Sequence, residues 1–258
     1  MSSCRHALAA LALITLLGAP RALSAQSPAE HLAEGDAEMA ALRPAEALAW
    51  FDSALAFDSA SFDALWRAAQ AAVELAEFEE SASRRAELFA RAERYARAAV
   101  RVDSARVEGR FAAARVLGLL ARIETSPTRR AALGAETYAH AQYCLMIASQ
   151  HPGCLHALGA WHATVAALNP FLRRMAGSLT GSQVFRRASW EEAERLLREA
   201  VQQEPKRIVH RLELARVYAA QKKGSEAEQE LHAAISGEVM DSNDVRRKAE
   251  AEREFADK

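Results

Sequence analysis

The stretch from His31 to Ser59 reads HLAEGDAEMAALRPAEALAWFDSALAFDS, and its pattern decides the fold. Gly35 stands where two helices would cross closely. Ala47, Phe51 and Ala54 form a small–large–small face on the second helix. The small residues let the helix pair approach, and Phe51 fills the space beside them. One such pair cannot bury this face alone, so neighbouring pairs must stack on it.

This arrangement resembles a tetratricopeptide repeat (TPR). The register recurs near the C-terminus. Ala193, Leu197, Ala200 and Pro205 close one repeat, and Ala215, Ala227, Leu231 and Ala234 fall in the next. Looser copies lie between. Ala69 begins a second pair whose partner helix carries Ala92, Ala96 and Ala99, with extra length around Glu77–Arg85. A third pair runs from Val107 to Ser149. A fourth starts at His156, takes an insertion over about 169–187, and closes with the helix 189–203. Asp58-Ser59, Asp103-Ser104, His151-Pro152 and Glu204-Pro205 supply capping or stopping residues at the repeat ends. Ser189 followed by Glu192 has the spacing of a capping box. Trp190, Ala193, Leu197, Ala200 and Val201 then make one apolar stripe. Residues 242–256 read as a terminal capping helix with a thin apolar edge of Val245, Ala249 and Phe255.

Composition agrees with helix alone. Half of the 258 residues are apolar and Ala dominates them, Gly and Pro are few, and no stretch alternates in the manner of a strand. The expected fold is an all-α, right-handed helical solenoid of about five pairs, with an insertion in the fourth and a C-terminal cap.

Arg5, the apolar run Ala7–Leu17 and the small residues Ser24-Ala25 read as a cleaved secretory signal over residues 1–25. The run is too short to span a bilayer as a helix. The expected location is therefore outside the cytoplasm, in the periplasm. Loss of Arg5 and Arg21 with the signal takes the 33 basic residues to 31 against 34 acidic ones, a net charge of −3. Nothing in that balance favours nucleic acid as a partner.

Two cysteines remain, Cys144 and Cys154. With Pro152 taken as the helix–helix turn, Cys144 lies about five residues further from it, a stagger of roughly 8 Å at ~1.5 Å per residue. A disulfide spans Cα separations only up to ~7 Å, so two buried free thiols are expected. Cys144, His151, Cys154, His156 and His162 lack the paired spacing of a zinc site, and no metal or cofactor is expected. No G-x-S-x-G, H-E-x-x-H or Gly-rich phosphate loop is present, and the expectation is a protein without catalytic activity.

The C-terminal half is more specific. LGAWHATVAALNPFLRRMAGSLTGSQVF followed by ASWEEAERLLREAVQQEP resembles the regulator of microtubule dynamics family over about residues 107–255. The likeness is carried by Leu158, Gly159 and Trp161, by the pair Arg173-Arg174, and by Ser189, Trp190, Glu191, Glu192 and Ala193. It implies a helical adaptor; an exported protein does not meet microtubules.

The TPR resemblance implies that the first helix of each pair lines a concave surface. The register places Leu32, Asp36 and Met39 there, then Trp66, Gln70 and Val73, then Phe111, Arg115 and Leu119. His156 and Ala160 follow, and finally Leu212 and Arg216. This mixed lining suits an extended protein segment, with Arg115 and Arg216 taking its carboxylates. The alternative is a carrier of a hydrophobic small molecule or lipid in the same groove. Phe171, Leu172, Met175 and Leu179 beside Arg173 and Arg174 also allow a peripheral membrane or lipid contact. Trp161 is expected to pack the insertion against the fourth pair.

Overall fold

A computed structural model describes residues 27–256; the signal expected over 1–25 lies outside the described residues. Among the described residues there is no strand. Twelve α-helices follow one another: α1 (Pro28–Ala40), α2 (Pro44–Phe57), α3 (Phe62–Glu77), α4 (Ala82–Val102), α5 (Val107–Ile123), α6 (Pro127–Ile147), α7 (Pro152–Ala166), α8 (Pro170–Thr180), α9 (Trp190–Gln203), α10 (Ile208–Ala220), α11 (Gly224–Ile235) and α12 (Asp244–Ala256). A short 3₁₀ turn, Val184–Arg187, follows α8.

The helix limits have local causes. Five of the seven prolines stand in the first turn of a helix, opening α1, α2, α6, α7 and α8, where no amide partner is lost. Ser27, Ser61, Ser81, Ser126 and Ser189 cap α1, α3, α4, α6 and α9 through their hydroxyls. A full capping box forms at Ser27 and Glu30. At Ser189 only half of it forms. The Ser189 hydroxyl accepts from the Glu192 amide at 3.2 Å, but the Ser189 amide donates to His162 Nδ1 at 3.4 Å, and Glu192 pairs with Arg195. A deeper acceptor and a nearer cation take the two groups that would have closed the box.

Helices pair as α1–α2, α3–α4, α5–α6, α7–α9 and α10–α11, and each pair stacks on the next. The result is a TPR-type solenoid. The first and last pairs turn in the same way. Leu42 and Lys222 both adopt left-handed backbone, with φ of 60° and 61°, and each is followed by a residue whose amide reaches back to Glu38 or Tyr218.

The layers are held by alanine columns. Ala47, Ala68, Ala69, Ala72, Ala92, Ala96, Ala112 and Ala113 are fully buried and bring helix backbones close together. Phe51 fills the space beside them and is itself fully buried. A β-carbon built on Gly35 would stand 2.3 Å from the Phe51 ring, so the glycine sets the spacing of the first pair. Trp161 does bury the insertion: it packs with Ala176, Phe185 and Ala188, and its indole N–H donates to the Gly134 carbonyl at 2.7 Å.

The two cysteines are joined in a disulfide, contrary to the free thiols expected, with Cα atoms 6.3 Å apart. Pro152 is not the turn but the first residue of α7. The turn lies at residues 149–150, so Cys144 is three residues before the end of α6 and Cys154 is the third residue of α7. The two are therefore nearly level across the turn. The bond ties the third pair to the fourth.

The close packing at Gly35 predicts opposite signs at two glycines. Gly35→Ala should lower the urea-unfolding free energy by about 1–3 kcal/mol through overpacking against Phe51. Gly134→Ala, whose new carbon would stand an ordinary 3.5 Å from Phe185, should be neutral or gain up to about 1 kcal/mol from helix propensity. Equal losses at both sites would show that the Gly35–Phe51 contact does not set the spacing.

Candidate functional site

The concave face encloses a cavity of about 1340 Å³. Asp36, Met39, Trp66, Gln70, Phe111, Arg115, Leu119, His156, Ala160, Leu212 and Arg216 all line it. Two residues counted onto this face do not. Leu32 packs against the core, and Val73 is fully buried. On α3 the inward stripe runs Trp66, Gln70, Glu74 and Glu77, so the carboxylate next to Val73 takes the position.

The lining has two chemistries. Between α5, α6, α7 and the insertion it is apolar: Leu119, Trp161, Val165, Leu168, Leu172, Met175, Leu179 and Phe185. Across from these lies a charged band from α3, α5, α7 and α10. Arg115 donates to Gln70 at 2.6 Å and lies 3.9 Å from Glu77. Arg216 pairs with Glu254 at 3.0 Å and Glu213 at 3.4 Å. The two arginines expected to meet a partner's carboxylates are thus engaged within the chain. Arg122 also lines the cavity, and it makes no ion pair with any described residue.

Residues after α11 close the band. The chain crosses from α11 to the end of α3, some 170 residues earlier. Ser242 donates its amide (3.2 Å) and hydroxyl (2.5 Å) to Glu74 Oε1. Asn243 Nδ2 donates to the Glu74 carbonyl at 2.7 Å, and Arg246 reaches the Phe78 carbonyl at 2.5 Å. Arg247 stands at the centre, 2.6 Å from Glu77, 2.9 Å from Asp241 and 3.0 Å from Asp244. Burial opposes the guanidinium charge, yet the three carboxylates raise its pKa. Burial likewise pushes the Asp241 carboxyl up, but Arg247, Arg115, the Asn243 amide and Arg207 together hold it below its ordinary value.

This corrects the reading of the last helix. Val245 is 62% exposed and Ala249 is exposed, while the side chain of Phe255 lies outside the described part. The buried edge is Asp244, Arg247 and Ala251, on the other side of the helix. The helix meets α3 with polar residues, Asp244 and Arg247, and packs Ala251 against Ile208, Leu212 and Ala234 of α10 and α11.

Histidines complete the floor. His156 Nδ1 and His210 Nδ1 are 3.1 Å apart, and His210 Nε2 is 3.0 Å from Glu204. Burial, then the charges of His210, Arg247 and Arg115, push His156 well below the ordinary imidazole value. On the outer side of the third pair, burial and Arg110 lower His140 to about 4. Cys144, His151 and Cys154 offer ligand atoms within 4.8 Å of one another, but the disulfide takes both sulfurs, and His151 Nδ1 accepts from the Cys154 amide.

Sequence counting misses Glu74, Glu77, Arg122, His210, Asp241 and Arg247. Extending the α3 stripe by one turn finds the two glutamates. No local pattern finds Arg247, whose role depends on where the spiral returns.

The geometry defines a TPR-type helical scaffold with a concave cavity. The family described as regulator of microtubule dynamics protein 1-3 matches residues 29–257, and the chain belongs to it. No curated protein matches the sequence. Among solved structures, the fold is similar to TTC0263, a thermophilic TPR protein of Thermus thermophilus, at 17% identity and TM-score 0.61, covering 87% of this chain and 98% of that one. It is also similar to the human IFIT1 dimer with m7Gppp-AAAA, at 16% identity and TM-score 0.51, covering 90% of this chain and 56% of that one.

Removing the central cation should open the closure. Arg247→Ala leaves Glu77, Asp241 and Asp244 buried without it, at a cost of about 3–5 kcal/mol. Hydrogen exchange should rise at Glu74–Phe78 and at the N-terminal end of α12; unchanged exchange at Glu74–Phe78 would mean that the guanidinium does not hold the closure.

The histidines give a second expectation. His140 and His156 are held neutral in the fold, so between pH 6.5 and about 4 the unfolded chain binds protons that the folded chain does not. Stability should fall as pH falls through this window, and His140→Gln should flatten the slope of the thermal midpoint against pH. A midpoint independent of pH from about 6.5 to about 4.5 would contradict this.

Proposed function

We propose that the protein is a non-enzymatic adaptor that holds an extended protein segment along its concave face outside the cytoplasm. The single observation that carries this reading is the cavity itself, which the first helix of every pair lines with mixed apolar, aromatic and charged groups. Trp66 and Phe111 offer anchoring surfaces, Met39 adds apolar contact, and Asp36, Gln70 and His156 offer polar ones, with Leu212 and Arg216 holding the far wall through their own partners in the chain. Arg122, which makes no ion pair with any described residue, offers a cation for a carboxylate of the partner. TPR proteins as a class present such faces to proteins. An exported location is supported by the leader pattern of residues 1–25 and by the Cys144–Cys154 disulfide, a bond that persists in oxidising compartments.

A second reading rests on the apolar half of the cavity. Trp161, Val165, Leu168, Leu172, Met175 and Phe185 form a wall that suits an alkyl chain better than a peptide backbone.

Native purification of the tagged chain from its own host, with mass spectrometry of proteins and of extracted lipids, separates the two. A stoichiometric protein partner lost on Trp66→Ala and weakened roughly tenfold or more by Arg122→Glu is the expected result. Arg122 is the better probe than Arg115, because reversing Arg115 also disturbs Gln70 and Glu77. A stoichiometric lipid without any protein partner would replace the adaptor with the carrier.

A further inference from the structure

The insertion between α7 and α9 borders the cavity with Leu172, Met175 and Leu179, and beyond that rim it carries Phe171, Arg174, Arg186 and Arg187, which do not line the cavity. From Val165 to Trp190 the chain has Arg173, Arg174, Arg186 and Arg187 and no acidic residue, although its basic and acidic totals are nearly equal, 33 and 34. Elsewhere most arginines are held in ion pairs. Arg174, Arg186 and Arg187 are exposed and make no side-chain contact with a described carboxylate. Arg173 is turned inward, donating to the Ala188 carbonyl at 3.4 Å.

The same segment exposes large apolar side chains. Phe171 is 72% exposed, and Leu172 and Leu179 are exposed beside it. At about 100° per residue, Arg174, Ser178, Phe171, Met175, Leu179 and Leu172 follow one another round the outer half of α8. Ala176 comes next round the helix after Leu172 and is buried with Trp161 and Phe185. Asn169 caps the start of α8, and Gly181, in left-handed backbone, ends it. The helix is thus a short, well-bounded amphipathic element with its inner face anchored, Leu172, Met175 and Leu179 along the cavity rim, and Phe171 and Arg174 exposed beyond it.

We propose that this outer face docks on an anionic lipid bilayer, with α8 lying flat in the interface. Phe171, Leu172 and Leu179 enter the boundary between headgroups and acyl chains, and Arg174, Arg186 and Arg187 meet the lipid phosphates. Charge decides the choice of occupant. A cationic, acid-free patch on a chain without net positive charge matches a continuous negative surface, and exposed apolar groups between the arginines give the penetration that a soluble acidic partner would not need. The face shares Leu172 and Leu179 with the rim of the cavity, whereas Phe171, Arg174, Arg186 and Arg187 lie outside it.

The test uses the full chain, wild type and variants side by side, with sonicated vesicles of phosphatidylcholine containing about one third phosphatidylglycerol. Co-sedimentation gives affinity, and hydrogen exchange of peptides covering 170–187 reports on the contact itself. The expected result is binding at low salt that weakens at high salt, with slowed exchange over 170–187. Arg174→Glu/Arg186→Glu/Arg187→Glu should weaken it by roughly 100-fold. Phe171→Ser/Leu179→Ser should also weaken it while leaving the far-ultraviolet spectrum unchanged. A short-chain phosphatidylglycerol below its micelle concentration should not slow the exchange; equal slowing by that monomer would mean a site for single lipids, at the arginines or in the cavity, and would overturn the proposal. Sedimentation without slowed exchange over 170–187, no binding at low salt, or binding untouched by either variant would overturn it as well.

Discussion

One guanidinium holds the molecule closed. Arg247 faces Glu77 from the second pair and Asp241 and Asp244 from its own segment, all largely out of water. Such a cluster depends on its cation, because without the guanidinium three carboxylates would stand together away from water. The rest of the concave face is arranged around it. Glu74 is occupied by Ser242 and Asn243, and Asp241 also draws Arg207 to 3.6 Å. The apolar contribution of this segment is small, with Ala251 its one fully buried apolar side chain among the described residues of α12. The curve of the solenoid brings the ends together, and polar chemistry keeps them there.

The helix pairs are legible in the sequence because their signals are local. Gly35 and Phe51 state the crossing of the first pair, prolines and serines state where helices begin, and alanine columns repeat at fixed offsets. The concave stripe follows from the same spacing, with an error of one position at Val73, while Leu32, one turn before Asp36 on the same face, packs against the core. What counting cannot supply is anything that depends on superhelical curvature. The return of residues 238–247 to α3 is set by the sum of small rotations between pairs, and no single residue encodes it. The apolar edge of Val245 and Ala249 fails for that reason: without the receiving surface in view, apolar residues are the default choice for the buried side. The disulfide escapes the sequence over a shorter distance. Pro152 opens the helix after the turn and is not the turn itself, and the few residues between are enough to shift the apparent register of the two thiols.

The insertion serves two sides at once. Trp161 and Phe185 anchor the inner face of α8, while Leu172, Met175 and Leu179 border the apolar half of the cavity and Phe171 and Arg174 face outward. Eleven residues of helix therefore connect the interior wall to the outer surface of the molecule. The charged band lies on the other side of the cavity, toward α3 and α10. The two chemistries of the lining meet on α5 and α7, where Arg115 precedes Leu119 and His156 precedes Trp161 by about a turn, and an elongated ligand would meet both.

The Cys144–Cys154 bond has a mechanical meaning. A solenoid breathes by small changes of angle at the joints between successive pairs, like a coil spring. Here the joint between the third and fourth pairs is pinned by a covalent strut, close to the middle of the coil. Flexing is left to the joints on either side, and widening of the ring is concentrated where the C-terminal segment meets α3. The spring is stiff at its waist and has its clasp at one point, so the size of the opening is governed from the clasp.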